Sequence, residues 1–219
     1  MTNDLEILSL KSKINIDCEI CDKCCINRGD LKITPINVLE ISKFLKIGPK
    51  DFIDKYTIRS QNGKPELLIK ATGEKKHCIF NDEKTAKCKI QKVKPMQCVV
   101  FPLVPFNLDF DLFINSNQCP LKSNKQMKVD KWLNGKNNIY KKHKSIYIKW
   151  INFLDRIAPY WQSLSTEKQE ETWENLYINY DLNNNYFKQV EKHIDNVISS
   201  FWQNSQKFQV FCQEQNSFH

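Results

Sequence analysis

Four cysteines fall within eight residues, Cys18, Cys21, Cys24 and Cys25, and four more follow singly at Cys78, Cys88, Cys98 and Cys119. Two residues between successive cysteines let the chain turn back on itself, so C-x2-C-x2-C directs three thiolates at one metal centre. Asp17, Glu19, Asp22 and Lys23 flank the octet, and such charged company argues against thiols serving there as small core hydrophobes. Cys24 and Cys25 are neighbours whose side chains diverge in extended backbone. They serve two adjacent centres, or one centre if a tight turn brings both to it. A consistent reading is two four-cysteine sites that share the octet, with Cys78, Cys88, Cys98 and Cys119 completing the set. Cys212 lies far from this series and is read as structural or incidental.

The donor set narrows the metal. Zinc ribbons pair two C-x2-C knuckles, and only the first is present here. A C-x2-C-x2-C run with a distant cysteine followed by proline, supplied by Cys119-Pro120, resembles iron–sulfur ligation of the ferredoxin type. A 4Fe-4S cluster is therefore favoured over zinc.

The elements that must position these residues are legible in part. Residues 1–122 hold all eight clustered cysteines, four of the five glycines and seven of the eight prolines. Residues 123–219 read as mostly helical. The expected fold class is α+β, a small cysteine-rich module (1–122) pinned by metal with a helical C-terminal extension (123–219). Thr34-Pro35 is a helix start, and Val38, Ile41 and Leu45 recur at helical spacing through about Lys46, with Gly48 expected to end the run. Pro49 opens a second short helix through Tyr56. Glu66 to Lys70 and Leu108 to Asn115 read as strands. Beyond them, Ile139, Tyr147, Trp150, Leu154 and Ile157 form a helical stripe interrupted at Pro159. Thr166 to Gln169 has the capping-box pattern, and Phe187, Val190, Ile194, Val197 and Phe201 form another stripe. Packing of three helices on one another and on the module accounts for these aromatic stripes. No internal repeat is evident beyond the interval of ten between Cys78, Cys88 and Cys98.

Charge and composition exclude several function classes. Of 219 residues, 41% are hydrophobic and 26% charged, ordinary for a globular protein. The formal net charge is +8, and two four-thiolate centres of about −2 each would lower it to about +4. The only arginines are Arg28, Arg59 and Arg156, so bidentate phosphate recognition is poorly supplied and nucleic-acid binding is not expected. No secretory leader and no run of about 18 apolar residues is seen, so a cytoplasmic protein without a membrane span is expected. The scattered glycines form no dinucleotide or phosphate loop. Glu74-Lys75-Lys76-His77 is a single E-x-x-H, whereas di-iron helices use two. His77 is read as a non-ligand loop residue close enough to Cys78 to support the site from behind, and His143 as a satisfied core residue. His193 and His219 have no evident partner. No catalytic constellation is recognisable, and whether the chain is an enzyme stays open.

The ordered set Cys18-x2-Cys21-x2-Cys24-Cys25, then Cys78-Ile79-Phe80, Cys88-Lys89-Ile90 and Lys94-Pro95-Met96-Gln97-Cys98-Val99-Val100-Phe101-Pro102, resembles the CxxCxxCC family of zinc- or iron-chelating domains, the YkgJ-type cysteine-cluster proteins. The resemblance covers roughly Cys18 to Cys119. The family commonly has glycine where this chain has Asp22, and arginines where it has Lys94 and Val99. What the resemblance implies is eight metal-binding cysteines; some relatives are linked to lysine methylation of flagellin, which makes protein modification an alternative. Two further expectations stand beside it. One is electron transfer or another redox reaction with a redox partner. The other is a metal-stabilised interaction module that meets a protein or RNA partner through the lysine-rich helical segment.

Overall fold

The computed structural model describes residues 6–15, 23–26, 29–106, 109–115, 126–134 and 139–200. Strands β1 (Ile7–Ser9) and β2 (Lys13–Asn15) precede a single 3-10 turn at Lys23–Cys25. Then come β3 (Lys32–Ile33), α1 (Pro35–Leu45), α2 (Pro49–Tyr56), β4 (Thr57–Arg59) and β5 (Leu67–Ile69). Four two-residue strands follow, β6 (Ala71–Thr72), β7 (His77–Cys78), β8 (Asn81–Asp82) and β9 (Lys87–Cys88). The short α3 (Met96–Val100) leads to β10 (Leu103–Phe106), β11 (Asp109–Asn115) and β12 (Gln126–Lys128). Helices α4 (Val129–Asn134), α5 (Ile139–Trp161), α6 (Thr166–Tyr177) and α7 (residues 186–200) complete the described chain. The mixture of helix and strand makes the fold α+β, with a helical C-terminal region.

Helix α1 begins as its sequence dictates. Thr34 accepts a hydrogen bond from the Asn37 amide at 3.4 Å while Asn37 Oδ1 accepts from the Thr34 amide at 3.1 Å, which satisfies two otherwise orphaned donors. Helix α1 ends at the expected place, but through a different residue than Gly48. Lys46 adopts a left-handed conformation (φ 59°) and closes the last turn onto Lys43 and Ser42 carbonyls, while Gly48 caps the start of α2. Helix α5 also runs past Pro159 to Trp161. Pro159 stands in the final turn: it forgoes the bond to the Asp155 carbonyl, and only two helical residues follow it to be displaced. The cap of α6 is Ser165 rather than Thr166, its side chain accepting from the Lys168 amide at 3.3 Å. Gln169 instead donates to the Trp161 carbonyl at 2.9 Å.

Two apolar cores form, and α5 passes through both. The larger collects Ile33, Ile36, Leu39 and Ile41, Phe52, Leu67 and Ile69, and then Trp150, Phe153, Trp173, Tyr177, Val190 and Ile194 from the three long helices. The smaller gathers Leu8, Ile14, Leu103 and Phe113 with Met96, Val99 and Val100 of α3, Val129 and Leu133 of α4, and Ile139 and Tyr140 at the start of α5. Both cores draw on residues from either side of position 122. The strands are arranged as β1-β11-β10, β3-β5-β4 and three two-stranded ribbons, β12-β2, β6-β7 and β8-β9. No described helix is long and apolar enough to cross a membrane.

Candidate metal centre

Two ribbons of the same size carry Cys78 and Cys88. In the first, Ala71 faces Cys78 and Thr72 faces His77; in the second, Asn81 faces Cys88 and Asp82 faces Lys87. Each has a four-residue turn whose last residue is left-handed, Lys76 (φ 48°) and Ala86 (φ 55°). Each is closed by an amide just after its cysteine, Ile79 onto the Lys70 carbonyl (3.0 Å) and Lys89 onto the Phe80 carbonyl (2.8 Å). The interval of ten between cysteines is therefore a structural repeat, visible in sequence only as a spacing.

Two-residue strands do not hold together alone. Here Phe80, between the ribbons, packs in the larger core with its ring 6.3 Å from Phe52 and 5.0 Å from Tyr56, and Ile90 is buried beside it. The third unit of the interval is α3. Its Met96, Val99 and Val100 enter the smaller core, whereas Cys98 packs against the larger one. Gln97 donates to the Tyr147 hydroxyl at 3.1 Å, fixing α3 against α5.

Cys24 and Cys25 lie in the 3-10 turn, Cys24 exposed and Cys25 half-buried. Cys78 is buried, and Cys88 and Cys98 are half-buried. The thiols feel one another. Cys25 is pushed well above the ordinary thiol range, first by its hydrogen bond with Cys24, then by burial, then by the nearby Cys24, Cys78 and Cys98. Burial also raises Cys88. The Ile90 amide and the Lys94 ammonium oppose that rise, and Cys24 adds to it. Burial and the neighbouring thiols thus oppose ionisation of Cys25 and Cys88, which makes these two poor nucleophiles unless a cation is bound. Among the described residues, no three Cys, His, Asp or Glu side chains already converge where one metal ion could sit. Cys18, Cys21, Cys119 and Cys212 lie outside the described residues.

The histidines divide. Cys78 and His77 are consecutive strand residues, and alternation turns them to opposite faces. His77 is buried with its Nδ1 3.1 Å from Asn81 Nδ2, a polar link between the two ribbons. His143 is fully buried in α5, with Nε2 2.9 Å from Glu40 Oε2 of α1. The core position matches expectation and Glu40 is its polar partner, although neither ring nitrogen makes an aligned hydrogen bond. His193, which had no partner in sequence, has its Nδ1 2.7 Å from the Asn175 carbonyl and its ring stacked on Tyr180. Sequence also gave no sign of the buried Glu66, held by Lys32 at 2.8 Å and by the Asn62 amide. Both Lys32 and Leu67 are strand residues, and the pairing of β3 with β5 is what brings this ion pair together.

A family model described as "CxxCxxCC: Putative zinc- or iron-chelating domain" matches residues 17–133, just over half of the chain. The chain belongs to this family. The chain is also similar over 85 residues to "Uncharacterized protein MJ0661" of Methanocaldococcus jannaschii, at 38% identity. That match covers 39% of this chain and 43% of the relative. No solved structure matches. Membership of a zinc- or iron-chelating family supports metal binding. The soft sulfur donors described above fit either zinc or iron.

Proposed function

We propose that this protein holds metal through Cys18, Cys21, Cys24, Cys25, Cys78, Cys88, Cys98 and Cys119, as iron–sulfur clusters in preference to zinc. The observation that carries the proposal is the electrostatic contact of Cys25 with Cys24, Cys78 and Cys98, and of Cys88 with Cys24. Elements more than fifty residues apart in sequence thus bring thiols near enough to feel one another's charge. Cys24 and Cys25 share a 3-10 turn with their thiols hydrogen-bonded, so both would serve one centre together with Cys78 and Cys98, while Cys88, Cys18, Cys21 and Cys119 would complete the set.

The chemistry supplied by an iron–sulfur cluster is one-electron transfer, its potential set by hydrogen bonds to sulfur and by exposure. The chain's own part is to bury Cys78, leave Cys24 at the solvent edge, and place Lys94 where its charge favours the Cys88 thiolate. Iron, zinc and sulfide quantification on anaerobically purified protein, with an ultraviolet–visible spectrum before and after dithionite, tests this. Iron with matching sulfide and a reversible bleach is expected. Stoichiometric zinc in a colourless protein would replace the cluster by a structural site, and absence of both metals would remove the proposal.

A further inference from the structure

The β2–β12 ribbon carries an arrangement that folding does not require. Lys13 and Lys128 are register partners, as are Asn15 with Gln126 and Ile14 with Met127. Alternation sends Ile14 into the smaller core and leaves Lys13, Asn15, Gln126 and Lys128 on the outer face, all four exposed. Like charges directly opposite each other across a ribbon are destabilising. Two more exposed lysines adjoin the pair. The Val129 and Asp130 amides donate to the Ser12 and Leu10 carbonyls, both at 3.0 Å, which sets Lys11 beside the first turn of α4 and its Lys131. Lys32, Lys50, Lys64, Lys144, Lys149 and Lys168 each pair with a carboxylate. Among the described residues, Lys11, Lys13, Lys128 and Lys131 do not, and Asp130 is the one acid interspersed with them.

We propose that Lys11, Lys13, Lys128 and Lys131 form the docking face for an acidic protein partner of the metal centre. The choice of partner rests on the metal reading above. Chain length ties the face to that centre: four residues separate Lys13 from Cys18, five chain steps with a reach of at most about 18 Å. Lysines on ribbon edges also deter strand addition, but that purpose does not call for two facing each other. Nucleic acid suits the face less well. It has no arginine for bidentate contacts, and among the described residues the large exposed apolar side chains, Ile7, Phe44, Ile58, Val104 and Tyr160, lie on other elements, while Trp132 beside Lys131 packs against the smaller core rather than standing free for base stacking. Complementary charge of this kind governs encounter rate and orientation.

The test uses the full, metal-replete chain and fluorescent poly-L-glutamate as the acidic probe, with binding followed by anisotropy over a salt series. Replacing Lys13→Gln with Lys128→Gln is expected to weaken binding at least tenfold. Replacing Lys188→Gln with Lys192→Gln, an equal charge change on exposed positions of α7, is expected to weaken it less than twofold. Lys128→Gln alone should leave the melting temperature unchanged or raise it, because a like-charge contact disappears. Equal losses in the two double variants, no binding by the wild type, or a fall in melting temperature with Lys128→Gln would overturn the proposal. Tighter binding of a single-stranded DNA oligonucleotide with the same tenfold loss would also overturn it, making the face a nucleic-acid surface. Metal content is measured on every sample. A wild type without metal would defeat the metal reading while the two double variants still report on the face.

Discussion

The long helices and the cysteine ribbons meet in the same core yet are held by different means. In α5–α7, Trp150 stacks on Phe153 at 5.1 Å, Trp173 stacks on Tyr177 at 5.0 Å, and Trp161 meets Trp173 edge-on at 6.2 Å. Such rings bring large buried area and directional contacts. The ribbons offer two residues per strand, a few anchors such as Phe80 and Ile90, and thiols raised by one another. One region is closed mainly by burial. The other is closed by its surroundings, and on the proposed reading bound metal completes it.

Metal removal is the sharpest way to divide the two. Structural metal sites contribute about 10–16 kcal/mol in small peptides, so chelation should strip amide-exchange protection from residues 71–90 while α5–α7 keep theirs. Equal loss in both regions would erase the contrast. Acid should act in the same sense, because ligating thiols must release protons to bind metal; release of protons on loading, followed by pH-stat titration, checks this.

The opposite cut goes through the helices. Phe153→Ala empties a fully buried site and should cost about 3–5 kcal/mol, read as a lower denaturation midpoint, with metal per folded chain unchanged. Loss of metal before loss of helix would contradict the division. A smaller effect is expected at the turn of the second ribbon. Ala86 is left-handed at φ 55°, a conformation costing about 1–2 kcal/mol for residues with a Cβ. Ala86→Gly should therefore raise stability by about 0.5–1 kcal/mol after the added chain entropy, in the ribbons and not in α5–α7.

The smallest effect belongs to a surface contact joining β4 to α6. Arg59 holds Glu170 through a two-pronged ion pair, with one nitrogen–oxygen distance of 2.8 Å, and its guanidinium lies 4.8 Å from the Trp173 ring centre. The hydrogen bond from Arg59 lowers the Glu170 carboxyl pKa. A lowered folded-state value means the stabilisation is present above the unfolded carboxylate range and is lost as pH falls through the folded value. Glu170→Gln should cost about 0.2–1 kcal/mol at neutral pH and nothing once acid has protonated the wild-type carboxyl. A pH series of urea midpoints for both proteins reads the difference.

The helices were legible because burial follows the period of the chain. Thr34 with Pro35 announced α1, and the stripe of Val190, Ile194 and Val197 announced α7. Errors fell at ends, where one backbone angle decides. Lys46 turned left-handed before Gly48 could act, and Ser165 took the cap from its neighbour. In the cysteine region the residue types were readable and the scaffold was not, since strands of two residues have no period to detect. The placement of Cys78 and Cys88 depends on turns closed by Lys76 and Ala86, residues whose side chains carry no turn preference. The Glu40–His143 contact depends on how α1 meets α5, which neither helix encodes by itself.

The matched ribbons impose a quantum of length. Each unit advances the chain by ten residues and returns its cysteine to the same register position, opposite the first residue of the ribbon, so lengthening this stretch by ten adds a thread to a screw. Lengthening it by nine or eleven reverses the pleat and turns the next thiol toward solvent. Natural variation in the spacing here should therefore come in whole turns of that screw, or be absorbed within the loops between the threads.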